Sequence, residues 1–208
     1  MKHFISRRNF LKAVGVTAAA SAMAAAVPQA SAGFLTGKDA AVTILYTNDV
    51  HTYIDHKSPK LTYAAIAAMK QGYVDEGKPV LLVDAGDHIQ GTAYGSMDDG
   101  ATIIELMNEA GYDIATLGNH EFDYGMARAK AIIKEADFPY VSCNWVDLRT
   151  GLRVLPAVKL FPAGGKWIAF VGITTPESFT KSTPAYFMNA KQTRYIRSEE
   201  HTSELQSR

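Results

Sequence analysis

The 208-residue chain is poor in cysteine and has no excess of positive charge. Cys143 is its single cysteine, so an internal disulfide framework is excluded. In "FPYVSCNW" this residue has apolar neighbours at strand spacing, and we expect it to be a small buried hydrophobe. Residues 33–196 contain 15 Lys and Arg against 18 Asp and Glu. Because no basic stripe is available to neutralise phosphates, the sequence argues against a nucleic-acid polymer as partner.

Long hydrophobic runs are also missing. The Ala-rich run at 13–27 is too short and too poor in Leu and Ile for a membrane span, so we expect no stable membrane anchor. It follows Arg7 and Arg8 in "SRRNFLK", which resembles a twin-arginine export signal, and it precedes an Ala-x-Ala pattern at 30–32. Residues 1–32 are therefore predicted to be a signal peptide read by the twin-arginine export machinery. The mature protein is then periplasmic, extracellular or at the cell surface, and a retained amphipathic anchor is the alternative.

The last residues, "RSEEHTSELQSR" at 197–208, have neither apolar periodicity nor turn chemistry. They resemble the translation of a sequencing-library adapter, and we expect a non-native tail there. A polar disordered terminus is the alternative, and in neither case is His201 expected to bind metal. On this interpretation the natural protein is longer and the chain is a fragment of it.

Between these ends, short β-branched runs alternate with amphipathic segments. This alternation predicts an α/β fold with right-handed βαβ units and a mainly parallel sheet. The first strand is expected to be buried on both faces, and the first helix is expected to begin with Ser58 and Pro59. Tyr94, Trp145 and Trp167 are expected in the core rather than on a base-stacking surface. The predicted strands are 41–47, 79–87, 113–119 and 139–145, the helices are 58–77, 98–112 and 125–138, and a hairpin follows at 152–161 and 166–174.

Polar side chains follow three successive predicted strands. Asp49 and His51 come after the first, Asp87 after the second, and Asn119 and His120 after the third. In open α/β sheets ligands bind beyond the carboxyl ends of the strands, so we expect these residues to converge. Their carboxylate, imidazole and amide groups suit a divalent cation such as Zn²⁺ or Mn²⁺. If two ions share Asp87, they can hold a phosphoryl group and lower the pKa of a bridging water to give a metal-bound hydroxide nucleophile.

The segments "TNDVH", "GDHIQG" and "GNHEFD" resemble, in order and spacing, the signature motifs of the calcineurin-like metallophosphoesterases. Within that family they are most similar to the exported bifunctional metallophosphatase and 5'-nucleotidase branch, over Val42 to Thr175. The resemblance implies a layered α/β sandwich of which residues 33–196 form the N-terminal half, as βαβαβαβ plus a β-hairpin. It also implies a nucleotide as small-molecule substrate, with phosphate as product and a role in nucleotide catabolism. Nucleotide sugars and cyclic nucleotides are further candidate substrates.

The resemblance also implies a role for each motif residue. Two divalent ions, of Zn, Mn, Mg or Ca, would be bound by Asp49 and His51 on one side and Asn119 on the other, with Asp87 bridging both. His120 would be the catalytic histidine and Asp123 would orient its ring. His56 and His88 lie outside the family's ligand positions, and a structural or solvent role is expected for each. Glu121 is expected to be a helix-start or supporting carboxylate.

Two departures from the family pattern affect these expectations. Thr52 stands where the family usually has Gly, so the local turn is expected to differ. Three further histidine ligands and a nucleotide-binding domain, which the family carries later in its sequence, have no counterpart here. We therefore expect the chain to bind metal weakly and to have little or no turnover, as an inactive fragment of an enzyme. A non-catalytic metal-binding or nucleotide-binding module and a structural cell-surface protein are the alternatives.

Overall fold

The computed structural model describes residues 41–54, 62–147, 150–175 and 177–182 of the chain. The strands are β1 (Thr43–Thr47), β2 (Val80–Asp84), β3 (Ile114–Ala115), β4 (Val146–Asp147), β5 (Leu152–Arg153), β6 (Val158–Ala163) and β7 (Lys166–Val171). The helices are α1 (Tyr63–Asp75), α2 (Ala93–Ser96), α3 (Ala101–Ala110), α4 (Met126–Glu135) and α5 (Ser178–Lys181), with a 3-10 helix at His120–Phe122. The predicted signal peptide, its cleavage site, His56 and the tail at 197–208 lie outside the described residues.

A parallel sheet of order β1-β2-β3 forms the centre of the structure. Its register sets Thr47 opposite Asp84 and Asp84 opposite Ala115. The last residues of the three strands therefore stand in one row, and the loops that follow them begin at the same edge. This arrangement confirms the predicted mixed α/β architecture with parallel βαβ units.

Local capping interactions determine where the helices begin and end. Helix α1 begins after Thr62, whose side-chain oxygen accepts a hydrogen bond from the backbone N–H of Ala65 at 3.2 Å. The prediction of Ser58 as the cap of this helix was wrong, because the helix begins at Tyr63 with Thr62 as its cap. Ser58 itself lies outside the described residues. Helix α3 ends as predicted at Gly111, which takes a left-handed φ of 76°.

The core lies around the helices and the middle strand. Leu81 and Leu82 are fully buried although they point to opposite faces of β2, so both faces of the middle strand are covered. Strand β1 differs, because Ile44 and Tyr46 are exposed. The prediction that β1 is buried on both faces was wrong, since within the described residues it pairs only with β2 and one of its faces has no cover.

The fourth predicted strand is present only as one parallel bridge between Ala115 and Tyr140. Beyond it, the N–H groups of Ser142 and Cys143 donate to the carbonyls of Pro156 and Gly172 instead of to the sheet. The chain thus leaves the sheet early to join the segments that follow it. The expected hairpin is confirmed, with β6 and β7 antiparallel around Gly164 and Gly165, although a separate small pair, β4 with β5, precedes it.

Four side chains test the predicted core. Trp145 is fully buried and meets Phe122 edge to face at 5.3 Å between ring centroids, as expected of a core aromatic. Tyr94 and Trp167 are exposed, so the prediction was wrong for both: Tyr94 belongs to the short helix α2, and Trp167 lies on the uncovered face of the hairpin. Cys143 is half-buried rather than buried.

Among the described residues, no helix has the length and apolar character needed to cross a bilayer.

Candidate metal centre

The loop that follows β1 is docked on the loop that follows β2. The N–H of Asp49 donates to the carbonyl of Gly86 at 3.2 Å, and the N–H of His51 donates to the carbonyl of Asp87 at 3.0 Å. Asp49, His51 and Asp87 take left-handed φ values of 52°, 47° and 59°. Non-glycine residues rarely adopt this conformation, and strained backbone of this kind is concentrated at functional sites. The two loops therefore keep an unfavourable geometry that brings three side chains together.

Asp49, His51 and Asp87 form a cluster of the kind that binds a cation. Each contributes one ligand atom, and these three atoms all lie within 4.8 Å of one another. Asn48 donates a side-chain hydrogen bond to Asp49 and so supports its carboxylate. Two carboxylates and one imidazole are a donor set that divalent ions of intermediate hardness accept. The residues present therefore fit a divalent metal ion.

The hydrogen bond of His51 determines which ring nitrogen is available. Its Nδ1 lies 3.1 Å from the carbonyl oxygen of Gln90, and a carbonyl can only accept, so Nδ1 carries the proton and donates. Nε2 then keeps a free lone pair, and it lies 3.7 Å from Asp49 Oδ1. A histidine held through one nitrogen by a backbone carbonyl is the usual arrangement of a metal ligand.

Asp87 lies in the middle of the site, where its negative charge is unfavourable. Burial, together with the negative charge of Glu121, raises the pKa of the Asp87 carboxyl to about 6. One of its oxygens, Oδ1, accepts a hydrogen bond of 2.7 Å from the backbone N–H of His120, which ties the second loop to the third. A cation beside Asp87 would offset both causes of the raised pKa.

Gly118 provides the space for the Asp87 carboxylate. A Cβ at this position would lie 2.2 Å from Asp87 Oδ1. Gly118→Ala is therefore expected to displace the carboxylate and to lower the free energy of unfolding by about 1–3 kcal/mol, as overpacking does. Urea unfolding followed by tryptophan fluorescence, to which the buried Trp145 contributes, measures the change.

The matched control for that variant is Gly72→Ala in α1, where an added Cβ meets nothing within 4 Å. Removing a helix-interior glycine is expected to stabilise the protein by roughly 0.5–1 kcal/mol. Equal and small effects at the two positions would contradict the account of Gly118.

The loop after β3 contributes a hydrogen-bonded pair, His120 and Asp123. Their side chains meet at 2.6 Å between Nδ1 and Oδ2. The other Asp123 oxygen accepts from Ser182 Oγ at 2.9 Å, and the same hydroxyl is 2.7 Å from the carbonyl of Asn119. Because a carboxylate accepts, His120 donates through Nδ1 and its Nε2 is free.

The third loop reaches the cluster formed by the first two. The rings of His51 and His120 are edge to face with centroids 4.9 Å apart. Asn119 stands between Gly118 and His120, both in contact with Asp87, and its side chain is nearly buried. The structure thus gathers Asp49, His51, Asp87, His120 and Asp123 at one edge of the sheet, with Asn119 in the loop that carries the last two.

A fully buried network of Glu121, His88 and Asp84 lies beside the cluster of Asp49, His51 and Asp87. Glu121 accepts backbone hydrogen bonds from Asp87 at 2.8 Å, from His88 at 2.9 Å and from Gly118 at 2.7 Å. His88 bonds through Nδ1 to Asp84 and through Nε2 to the hydroxyl of Tyr140, each at 2.8 Å. Glu121 is therefore the supporting carboxylate that was expected, and His88 has the structural role that was expected.

Sequence reasoning did not find the partners that complete these contacts. Tyr140 and Ser182 lie 52 and 59 positions from the residues they bond, and no local signal marks either. Asp84 was detectable in principle, because it is a charged residue at the end of an otherwise apolar strand. The carbonyl of Gln90 carries no side-chain signal at all.

Comparison with known proteins agrees with this geometry. The model of the calcineurin-like phosphoesterase family matches residues 42–197. The chain belongs to this family of phosphoester hydrolases, whose members bind divalent metals.

Among curated proteins the chain is similar to 5'-nucleotidases. It is 35% identical over 161 residues to the 5'-nucleotidase of Homo sapiens, covering 69% of this chain and 28% of that protein. It is 34% identical over 163 residues to a snake venom 5'-nucleotidase of Gloydius brevicauda, covering 71% and 28% respectively. The crystal structure of a 5'-nucleotidase precursor from Thermus thermophilus matches with a TM-score of 0.59 and 30% identity, over 66% of this chain and 29% of that one. The chain thus spans less than a third of the length of these relatives.

Proposed function

We propose that the chain is the metal-binding, N-terminal part of an exported 5'-nucleotidase that releases phosphate from small-molecule nucleotides. The observation that carries this proposal is the convergence of the Asp49, His51 and Asp87 ligand atoms within 4.8 Å at the carboxyl edge of a parallel sheet. The similarity to 5'-nucleotidases supports the choice of substrate class. The proposed place of action, reached through the twin-arginine signal at residues 1–32, is the periplasm or the outside of the cell.

In this proposal the motif residues hold two divalent ions. Asp49 and His51 would hold one ion and Asn119 the other, and Asp87 would contribute to both sites. When bound, such ions supply positive charge that polarises phosphoryl oxygens and acidifies water. The free Nε2 of His51 and the raised pKa of Asp87, caused by burial and by Glu121, support these roles, because both groups gain from a nearby cation.

His120 is the proposed proton donor. During hydrolysis the attacking water loses one proton to solvent as its oxygen bonds to phosphorus, the ester P–O bond breaks, and the departing alkoxide oxygen takes one proton from His120. The Asp123 carboxylate fixes Nδ1–H, so Nε2 is the nitrogen that can hold and deliver that proton. The Ser182 hydroxyl supports Asp123 in turn, since it lies within hydrogen-bond distance of Asp123 Oδ1 and of the Asn119 carbonyl.

We further propose that the 208-residue chain alone has little turnover. It contains six histidines, of which the structure describes His51, His88 and His120. His88 has no exposed surface, and both of its ring nitrogens are hydrogen-bonded, so it cannot serve as a further ligand. The described residues therefore offer one histidine, His51, for direct metal binding beside the proposed proton donor.

Metal titration tests the metal-binding part of this proposal. The purified chain is expected to bind Mn²⁺, and Asp87→Asn is expected to weaken binding about 10- to 100-fold or more because it removes a shared ligand charge. Asp75→Asn, an exposed position on α1, is the matched control and should leave binding unchanged. If the chain binds no Mn²⁺, or if both variants behave alike, the proposed metal centre is wrong.

Phosphate release from AMP tests the catalytic part. The chain is assayed with Mn²⁺ and again with a chelator, beside a full-length 5'-nucleotidase. Slow release that the chelator abolishes is the expected result. Mn²⁺ binding with no release at all would favour the non-catalytic binding module, and turnover equal to that of the full-length enzyme would refute the proposed low activity.

A further inference from the structure

The residue after the first-loop histidine has an unusual backbone. Thr52 takes a φ of 58° and has no exposed surface. A β-branched residue in this left-handed region is a clear outlier, because its branched side chain crowds the backbone. Something in the surrounding structure must hold it there.

Thr92 provides that hold. The Thr92 hydroxyl donates to the carbonyl of Thr52 at 3.0 Å, and the Thr92 N–H donates to Thr52 Oγ1 at 2.6 Å. The two hydroxyl oxygens are 2.7 Å apart, and since the Thr92 proton is already used, Thr52 is the donor of that bond. Three hydrogen bonds thus join the two residues, with each hydroxyl both donating and accepting. We refer to the Thr52–Thr92 pair as the threonine latch.

The methyl group of Thr52 also makes a specific contact. A Cβ on Gly95 would lie 2.6 Å from Thr52 Cγ2, so the methyl occupies the space that this glycine leaves open. Both branches of the Thr52 side chain are therefore used, one for hydrogen bonding and one for packing against α2.

The latch is adjacent to the hydrogen bond that orients His51. Thr52 follows His51, and Thr92 lies two residues after Gln90, whose carbonyl accepts from His51 Nδ1. Between them, Gly91 is so close to His51 that a Cβ there would lie 2.1 Å from the His51 carbonyl oxygen. The same two short segments, 51–52 and 90–92, are thus joined once through the imidazole and once through the latch.

We infer that the threonine latch is a positioning device. It keeps His51 in its Nδ1–H tautomer with Nε2 directed toward the carboxylates of Asp49 and Asp87. Where a glycine would adopt the left-handed turn freely, hydroxyl hydrogen bonds enforce it in this chain. The inference deepens the proposed function and rests on it for the role of Nε2. The tautomer itself can be observed without any metal.

The test compares four variants of the purified chain. Thr52→Val removes the hydroxyl but keeps the shape, and Thr52→Ser keeps the hydroxyl but removes the methyl. Thr52→Gly removes the hydroxyl and also relieves the backbone strain, so it is informative even if Thr52→Val does not fold. Thr102→Val is the matched control, because it removes a hydroxyl that bonds only its own helix start at Asp98, outside the site.

The first readout is the tautomer of His51, measured by ¹⁵N NMR in chelator. Wild type, Thr52→Ser and Thr102→Val are expected to show the Nδ1–H form alone, and Thr52→Val and Thr52→Gly a mixture of tautomers. The second readout is the Kd for Co²⁺ with its visible absorption spectrum. About a tenfold weaker Kd and a changed spectrum are expected for the Val and Gly variants, as for other residues that support metal ligands.

The results separate this inference from the proposed function. If Thr52→Gly keeps the wild-type tautomer and Co²⁺ affinity, the latch has no positioning role and the inference is overturned. If wild type has the fixed tautomer, Thr52→Gly loses it, and neither binds Co²⁺, the latch stands while the proposed metal centre fails.

Discussion

Glu121→Gln is expected to lower the free energy of unfolding by about 3–5 kcal/mol, the range measured when one partner of a buried charged network is removed. Both carboxylate oxygens of Glu121 accept backbone N–H groups: Oε2 accepts from Asp87 and Gly118, and Oε1 from His88. A glutamine has one accepting oxygen and one donating NH₂ group, so at least one buried donor would face another donor. The substitution preserves shape, and the loss is therefore one of hydrogen bonding and charge.

Urea unfolding followed by tryptophan fluorescence measures this loss, since of the two tryptophans Trp145 is fully buried and becomes exposed on unfolding. Glu105→Gln on the exposed side of α3 is the matched control, and an exposed substitution of this kind should change stability by no more than about 0.5 kcal/mol. A loss below about 1 kcal/mol for Glu121→Gln would mean that the backbone donors of the second and third loops do not depend on this carboxylate.

The second large effect is a fall in stability of about 3 kcal/mol as the pH rises from 6.5 to 9, measured in chelator. Burial by itself would lower the pKa of His88, but the charges of Glu121 and Asp84 raise it from 6.5 to about 9. A folded-state pKa above the unfolded value means that the folded protein binds the proton more tightly. The stabilising contribution is therefore complete below pH 6.5 and is lost as the pH rises through 9.

Urea unfolding at several pH values and NMR titration of the His88 ring together check this prediction. Asp87, with a pKa near 6, titrates below the window and does not account for the fall. Tyr140→Phe is the control, because it removes the hydroxyl bonded to Nε2 and leaves both carboxylates, so the pH window should stay in place. A flat stability profile, or a His88 ring that titrates near 6.5, would show that its charge is not held by Asp84 and Glu121.

These two predictions concern the same buried network, formed by Glu121, His88 and Asp84, beside the candidate site. The side chains of Asp49, His51 and Asp87 belong to loops that are held by buried hydrogen-bond acceptors. The backbone N–H groups of Asp87 and Gly118, for example, donate to the buried Glu121 carboxylate rather than to water. On the proposed function, a preorganised support of this kind would keep the metal ligands in place before an ion binds, so that less ordering is required on binding. It also explains why the strained φ values of these loops are tolerated.

The sequence alone was sufficient for the fold class and for the position of the motif residues along it. Alternating periodicity indicated βαβ units, and parallel strands end at a common edge, so residues that directly follow them converge by geometry. Two predictions failed because they depend on contacts with other parts of the fold. Strand β1 has an uncovered face instead of two buried ones, and the predicted fourth strand ends early because the backbone N–H groups of 142–143 donate to distant carbonyls.

What only the tertiary structure decided is how the side chains of the candidate site are held. Thr52 with Thr92, Glu121 with the N–H of Asp87, and Ser182 with Asp123 are pairs separated by 40, 34 and 59 positions. Local periodicity reports the face on which a residue lies and contains no information on the partner it meets across the fold. Contacts between distant segments therefore exist only when the chain is folded. The Gln90 carbonyl then fixes the tautomer of His51, burial and the charge of Glu121 raise the pKa of Asp87, and the charges of Glu121 and Asp84 raise the pKa of His88.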